Sequence, residues 1–326
     1  MTPRAFQPLD ARWVDEIAAF LADKSPTRNP RSVTAMRTVD GGLYHFKHAR
    51  ISLADEARAL ALAASVGEVS GVRSITLEVF DPRANVLVTE GERGESLFNS
   101  LWNESSRLAL APQRRHWPEV LGRLAAWLAA FHRASDGSDA CRRHSPEDCL
   151  ERLRLSFRSK LAIVRESRAA PLSRSEVDRI LDYVEGGLDP DLWRGEAICQ
   201  LHGDLVPVNQ LLLADGSIRV LDFGDSVVGF ALEDLVRLWS GVWELTQCGR
   251  RRARLLRPAL SRILADYSRS PRSSDSRPFM LLRVWNAVTQ ACVACTNRST
   301  FDLSTALIHR RLTRAAMSWL RREVLS

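Results

Sequence analysis

The stretch from Ala197 to Asp225 constrains this chain more tightly than any other. Its apolar runs Ala197–Leu201, Gln210–Leu213 and Ile218–Leu221 read as short strands, and Asp215-Gly216 marks a hairpin between the last two. Between the first two runs stands Leu201-His202-Gly203-Asp204-Leu205-Val206-Pro207-Val208-Asn209, and the hairpin leads into Val220-Leu221-Asp222-Phe223-Gly224-Asp225. Asp204 and Asn209 are five apart, and Asp222 lies thirteen beyond Asn209. Folding across the hairpin therefore gathers three oxygen donors. Such a set suits a hard, octahedral cation like Mg²⁺ held together with substrate phosphates. The first acid, Asp204, is left to orient a hydroxyl and take its proton. One aspartate in a turn would say little; three donors at these spacings describe a site.

The rest of the chain frames this β-rich island. Residues 10–23 have apolar positions at helical spacing. Ser32–Val39 and Leu43–Ala49 flank Asp40-Gly41-Gly42, a hairpin signal. Leu53–Val66 reads as a helix, and Ser74–Phe80 and Asn85–Thr89 as strands joined through Asp81-Pro82. After Gly94 helices dominate: Trp117–Ala134, Ser145–Arg168, Ser173–Gly186, Pro278–Cys295 and Ser304–Val324. Ser135–Glu147 and Arg269–Arg277 are polar and read as exposed loops.

His-Gly-Asp-x4-Asn followed by Asp-Phe-Gly resembles the catalytic and metal-binding loops of the protein-kinase-like fold. Gly203 after His202, in place of arginine, and the later Gly229 and Asp234-Leu235 look most like the aminoglycoside phosphotransferase family, which includes choline, homoserine and other small-molecule kinases. The matching spacings cover residues 197–239 strongly and 44–134 more weakly. The resemblance implies a two-lobed α+β fold. Residues 1–92 would form a small antiparallel-sheet lobe that binds nucleotide, and residues 93–326 a larger, mainly helical lobe for catalysis and the acceptor.

It also implies roles. Asp204 would be the catalytic base or hydroxyl-positioning acid, and Asn209 and Asp222 would hold Mg²⁺. His202 resembles the structural histidine of the loop, and Asp234 the helix-start aspartate that ties the loop down. Lys47, in Tyr44-His45-Phe46-Lys47-His48-Ala49, would reach the α- and β-phosphates of ATP or GTP. Glu56, nine residues on, resembles its partner, with Glu68 as the alternative. Glu90, Gly91 and Glu92 look like the hinge, whose backbone would meet the adenine edge. His132 reads as a packed core histidine beneath the catalytic loop.

Neither G-x-G-x-x-G nor G-x-x-x-x-G-K-[ST] occurs. Ser25–Val33, which should cover the phosphates, has Arg28, Asn29 and Arg31 instead of glycines. This argues against a protein kinase and leaves a small-molecule kinase, acting on a sugar or antibiotic-like metabolite. The competing reading is a catalytically silent kinase-like protein whose basic carboxy-terminal region binds an anionic partner. It is disfavoured because Lys47, Asp204, Asn209 and Asp222 are all present.

Composition narrows the reading further. With 45% hydrophobic and 26% charged residues the chain has the make-up of a folded soluble protein, and no run of 18 apolar residues could span a membrane. The amino-terminal residues lack the apolar core of a signal peptide, so a cytoplasmic location is expected, with the six cysteines reduced. Cys292 and Cys295 form a lone C-x-x-C that reads as a helix face. The chain has 43 arginines but only three lysines, Lys24, Lys47 and Lys160, so a lysine at a meaningful position carries weight. Residues 240–326 hold 16 arginines, among them Arg250, Arg251, Arg252, Arg254 and Arg257, against five acids. If they wall the acceptor pocket, a neutral or anionic acceptor is favoured over a polycation. Trp239, Trp243 and Trp285 could add flat faces there. No nucleic-acid-binding motif is visible, and no nucleic-acid partner is expected.

Overall fold

Gly41 at the hairpin tip sets the start of the first sheet. Asp40 and Gly41 both take positive φ, 50° and 79°, the backbone a tight two-residue turn requires. The computed structural model describes residues 11–22, 32–49, 51–104, 116–267, 274–296 and 303–326. The turn joins β1 (Ser32–Val39) to β2 (Gly42–Ala49), which pair antiparallel. With β4 (Leu77–Asp81) and β5 (Val86–Glu90) they form a four-stranded antiparallel sheet in the order β1-β2-β5-β4. Helix α1 (Ala11–Ala22) covers one face. Its Trp13, Ile17 and Phe20, spaced for one helical stripe, pack on Phe46, Val79, Val86 and Val88. Helix α2 (Ala54–Val66) follows β2 and turns Ala57, Leu60 and Ala63 into the main core.

The strand expected over Ser74–Phe80 is two strands. Val72–Ser74 forms β3, which leaves the first sheet and runs parallel to β9 (Ile218–Val220), while β4 begins only at Leu77. The junction holds because Ile75 N–H donates to the Val220 carbonyl at 3.0 Å and Ile218 N–H donates to the Gly71 carbonyl at 2.8 Å. A second sheet results, ordered β3-β9-β8-β6, with β6 at Glu95–Ser96 and β8 at Gln210–Leu212. It joins the amino-terminal segment to the island that carries the motif.

The larger part is helical: α3 (Leu97–Glu104), α4 (Trp117–Ala134), α5 (Asp139–Arg142), α6 (Pro146–Glu166), α7 (Arg174–Gly187), α8 (Leu232–Thr246), α9 (Arg250–Tyr267), α10 (Arg277–Thr296) and α11 (Leu303–Glu323). Strands β7 (Ile198–Leu201) and β10 (Val227–Phe230) pair antiparallel beside them. Ser145 and Ser173 start α6 and α7 with reciprocal capping boxes, to Asp148 and Glu176. Helix α5 is unforeseen: Cys141 is buried there, which anchors a segment expected to be an exposed loop. Residues 269–273 of the other expected loop, and 25–31 of the segment expected to cover the phosphates, lie outside the described residues.

Trp127, Phe131, Phe157, Trp193, Phe223, Phe230 and Phe279 are wholly buried in one core, each worth about 2 kcal/mol or more. Cys292 and Cys295 sit half-buried on α10, as a helix face would place them. Among the described residues, no helix is long and apolar enough to cross a membrane.

Candidate active site

The loop between β7 and β8 is fixed from beneath by one buried carboxylate. Asp234, in the first turn of α8, accepts from His202 N–H at 2.7 Å and from Gly203 N–H at 2.9 Å. His132, on α4, reaches the same carboxylate through Nε2 at 3.1 Å and meets the Tyr267 hydroxyl through Nδ1 at 2.7 Å. Burial alone would favour the neutral acid, but the hydrogen bonds from His132 and the Gly203 amide outweigh it and hold Asp234 below the usual carboxylate range. His132 is thus a core histidine with a task, one the sequence did not reveal.

His202 braces the next layer. Its Nε2 donates to the Leu221 carbonyl at 2.8 Å, and its Nδ1 accepts from Asp204 N–H at 3.3 Å. These partners assign a neutral ring with the proton on Nε2. Gly203 takes φ 88°, and a Cβ there would lie 1.9 Å from the Asp225 carbonyl oxygen. No side chain fits, which gives the glycine after His202 a physical cause.

Asp204 emerges above this base with both oxygens held. Arg237, on α8, donates to Oδ1 from Nε at 3.0 Å and from Nη2 at 2.6 Å. Asn209 Nδ2 donates to Oδ2 at 3.0 Å and to the Asp204 carbonyl at 2.8 Å. With its amide nitrogen engaged, Asn209 has its side-chain oxygen left for a ligand. Asp222 takes φ 54°, and its side chain is 58% exposed toward the cleft.

Lys47 Nζ lies 2.9 Å from Glu56 Oε2 and 3.3 Å from Asp222 Oδ1. Burial pulls its pKa down, but Glu56 and Asp222 outweigh that and raise it above that of an ordinary lysine. The short β2-to-α2 connection that brings Glu56 here is clamped by Asn85. Its Nδ2 donates to the carbonyls of Ala49 at 2.7 Å and Ile51 at 2.6 Å, and its Oδ1 accepts from Leu53 N–H at 2.9 Å. Glu68 is exposed beyond the end of α2 and makes no contact with Lys47.

Lys47, Glu56, Asn209 and Asp222 share a cleft of about 460 Å³ with Glu90, Gly91 and Glu92. Glu90 N–H already donates to the Thr76 carbonyl at 2.9 Å and Gly91 N–H to the Leu43 carbonyl at 2.7 Å. Of the three, Glu92 N–H is the one without a backbone partner among the described residues. The side chains here are tied by charge: Arg73 reaches Glu90 at 3.3 Å and Glu92 at 3.2 Å, and Arg219 reaches Glu92 at 2.9 Å. Arg73 and Arg219 face each other in the β3–β9 register, so the segment from Glu90 to Glu92 is tied by charge to the second sheet.

Three more groups adjoin Asp204 without having been foreseen. Asp225 has its pKa raised, by partial burial and then by the charges of Asp204 and Asp222. Among the described residues no three acid, histidine or cysteine side chains come together as a metal cage, so a hard cation here would take the open Asn209 amide oxygen and the exposed Asp222 carboxylate and rely on substrate oxygens for the rest. Arg237 also donates to Asn286 Oδ1 at 2.7 Å and lies 5.3 Å from the Trp285 ring. Lys160 Nζ lies 4.9 Å from that ring on the neighbouring helix α6. Arg237 could have been found from its i+3 spacing to Asp234 on one helix face. Lys160 could have been found from the scarcity of lysine.

The arginines of α9 are elsewhere. Arg250, Arg254 and Arg257 are exposed, and Arg252 stacks on Trp102 at 3.7 Å. Trp239 and Trp243 lie stacked 6.5 Å apart, with Arg283 at 4.8 Å from each ring. Of the three tryptophans, Trp285 is the one beside Arg237.

Solved structures of the same fold include the choline kinase LicA from Streptococcus pneumoniae, at 15% identity and TM-score 0.58, covering 93% of this chain and 97% of that one. A glucosamine kinase in complex with glucosamine, ADP and inorganic phosphate matches at 15% identity and TM-score 0.60, over 97% of this chain and 84% of that one. The amicoumacin kinase hAmiN, in complex with AMP-PNP, Ca²⁺ and Ami, matches at 15% identity and TM-score 0.54, over 95% and 94%. At such identities the likeness is one of fold, the two-lobed protein-kinase-like α+β architecture. No curated protein matches the sequence. The model of the APH phosphotransferase enzyme family matches residues 9–270, a span that includes both Lys47 and the whole His202-to-Asp234 constellation, and the chain belongs to that family.

Proposed function

We propose that this protein moves the γ-phosphoryl group of ATP or GTP, with Mg²⁺, to a hydroxyl of a small molecule. The observation that carries the reading is the convergence on one cleft of Lys47, paired with Glu56 and Asp222, and of Asn209, whose amide is bonded to Asp204. The glucosamine kinase and hAmiN complexes, which hold ADP with phosphate and AMP-PNP with Ca²⁺, support a nucleotide and a divalent cation in such a cleft.

Lys47, fixed by Glu56, places a cation on the α- and β-phosphates. Asn209 Oδ1 and Asp222 would hold Mg²⁺, which would supply positive charge against that of the phosphates. Asp204 orients the acceptor hydroxyl and takes its proton. The acceptor oxygen bonds to Pγ as the bond from Pγ to the β,γ-bridging oxygen breaks, and the nucleoside diphosphate leaves with that electron pair. Little covalent work falls to the protein; positioning and charge do most of it.

The test is AMP-PNP binding to the full-length protein with and without Mg²⁺, followed by ADP release from Mg·ATP across a panel of hydroxyl compounds. Mg²⁺-dependent nucleotide binding is the expected result. Failure to bind ATP or GTP analogues under either condition overturns the reading.

A further inference from the structure

We propose that Lys160, Arg237 and Trp285 form an anion-recognition subsite beside Asp204, and that the acceptor is a hydroxyl compound carrying a carboxylate or phosphate group. The inference rests on the phosphotransfer reading, which puts the acceptor at Asp204.

The three residues come from three helices, α6, α8 and α10, and meet at one indole ring. Trp285 Nε1 donates to Ser156 Oγ at 3.0 Å, and Lys160 Nζ donates to the same oxygen at 3.2 Å. The ring and the ammonium are therefore placed by one hydroxyl, one helical turn before Lys160. Arg237 is placed by Asp204 and Asn286, which take three of its five N–H groups. Two donors remain on Arg237 and two on Lys160.

The electrostatics are lopsided. Among the described residues Lys160 has no carboxylate within ion-pair distance, and Arg237 has only Asp204, whose second oxygen Asn209 already occupies. Two cations thus lie within 4.9 and 5.3 Å of one ring centroid. Burial first, and then the charge of Arg237, lower the pKa of Lys160, and the more distant charges of Asp225 and Asp204 oppose this only in part. An anion reaching both would relieve that repulsion. A cationic acceptor group would add a third positive charge to it.

The residue types fit the task. A planar guanidinium fork and a compact ammonium together suit the oxygens of a carboxylate or phosphate, and an indole face suits a carbon skeleton. In a chain that uses arginine almost everywhere, lysine at this position is a distinct choice. The two donors that remain on Arg237 would let an anion bind while the bonds to Asp204 Oδ1 stay in place.

The scarcity of lysine supplies the test. Full-length protein labelled with ¹³Cε-lysine gives three lysine signals, assigned by Lys160→Met, or by elimination from Lys24→Gln and Lys47→Met should the first variant not fold. With Mg·AMP-PNP present, the Lys160 signal is followed against glycerol, D-glycerate and glycerol 3-phosphate. The expected result is a saturable shift with one or both anions, at least about tenfold tighter than any response to glycerol, since charge-assisted hydrogen bonds are worth more than one decade of affinity. Comparing the two anions tells carboxylate from phosphate recognition. A Lys160 signal that neither anion moves, or that glycerol moves as readily, overturns the subsite. The Lys47 signal answers separately for nucleotide: its failure to respond to Mg·AMP-PNP would count against phosphotransfer and leave the anion titration to be read alone.

Discussion

Arg237 directs both Nε and Nη2 at a single oxygen of Asp204, at 3.0 and 2.6 Å, while Asn209 holds the other oxygen. The candidate base is therefore a carboxylate fixed in rotation and aimed, with its charge partly balanced before any substrate arrives. Such fixing favours catalysis through position. It also means that a neutral amide could keep most of the same hydrogen bonds.

That isostere gives the first prediction. Asp204→Asn should fold normally and lower kcat by roughly 10²–10⁴, the range usual for a lost general base. Nucleotide affinity should stay within about threefold, because an interaction made mainly in the transition state acts on kcat. ADP-release kinetics and an AMP-PNP titration check both halves. A near-normal kcat removes Asp204 from the role.

Asp222 carries a second, separable prediction. Its carboxylate is largely exposed and contributes little to packing, so Asp222→Ala should stay folded, losing about 1–2 kcal/mol at most to alanine at a positive φ and to the lost Lys47 contact. The stabilisation that Mg²⁺ adds to AMP-PNP binding should disappear. Thermal shifts with nucleotide alone and with Mg·nucleotide measure the difference. If the variant gains as much from Mg²⁺ as the parent, the cation lies elsewhere.

How much of this was legible follows from which interactions are local in sequence. The helix over Trp117–Ala134 declares itself by its period and its early proline, that over Ser173–Gly186 by its period and capping serine, and the His202-to-Asp222 spacings survive folding because one hairpin sets them. The break of Ser74–Phe80 into β3 and β4 was not legible, since what draws Val72–Ser74 away is β9, over 140 positions later. The role of His132 was hidden likewise: its partners, Tyr267 and Asp234, lie 135 and 102 residues away. The reverse error fell on the arginines of α9. They form a dense basic run in sequence, yet their helix packs along α4 and α8 and leaves most of them in solvent. Density in sequence says nothing of direction.

Gly203 supports a third prediction, about the loop's backbone. Gly203→Ala must both hold a positive φ and displace the Asp225 carbonyl, and rigid strand ends on either side resist the shift. The left-handed conformation alone costs about 1–2 kcal/mol, and the clash adds to it. Urea denaturation should show a loss of about 2 kcal/mol or more, with turnover reduced in protein that remains folded. A variant as stable and active as the parent would show that the loop has room the structure does not give it.

The fourth prediction concerns a buried acid outside the cleft. Glu244, on α8, is 5% exposed and accepts from Gln290 Nε2 at 3.1 Å. Burial pushes its pKa up to about 8, with Arg237 and Arg283 opposing the rise only in part. In the unfolded chain the same group titrates near 4.3, as an ordinary glutamate does. Between these two values the folded state holds a proton that the unfolded state has lost, so this group's contribution to stability falls as pH rises, by at most about 1.4 kcal/mol per pH unit, and levels off above the folded value. Glu244→Gln keeps the shape and the bond from Gln290 but cannot ionise. The variant should therefore gain on the parent steadily from about pH 5 to about pH 8, whatever the offset between them at the acid end. Paired urea denaturations across that range isolate the difference, because every other titrating group is common to both proteins. A stability difference that stays constant with pH would show that Glu244 is already ionised in the folded chain, with Arg237 and Arg283 overcoming its burial.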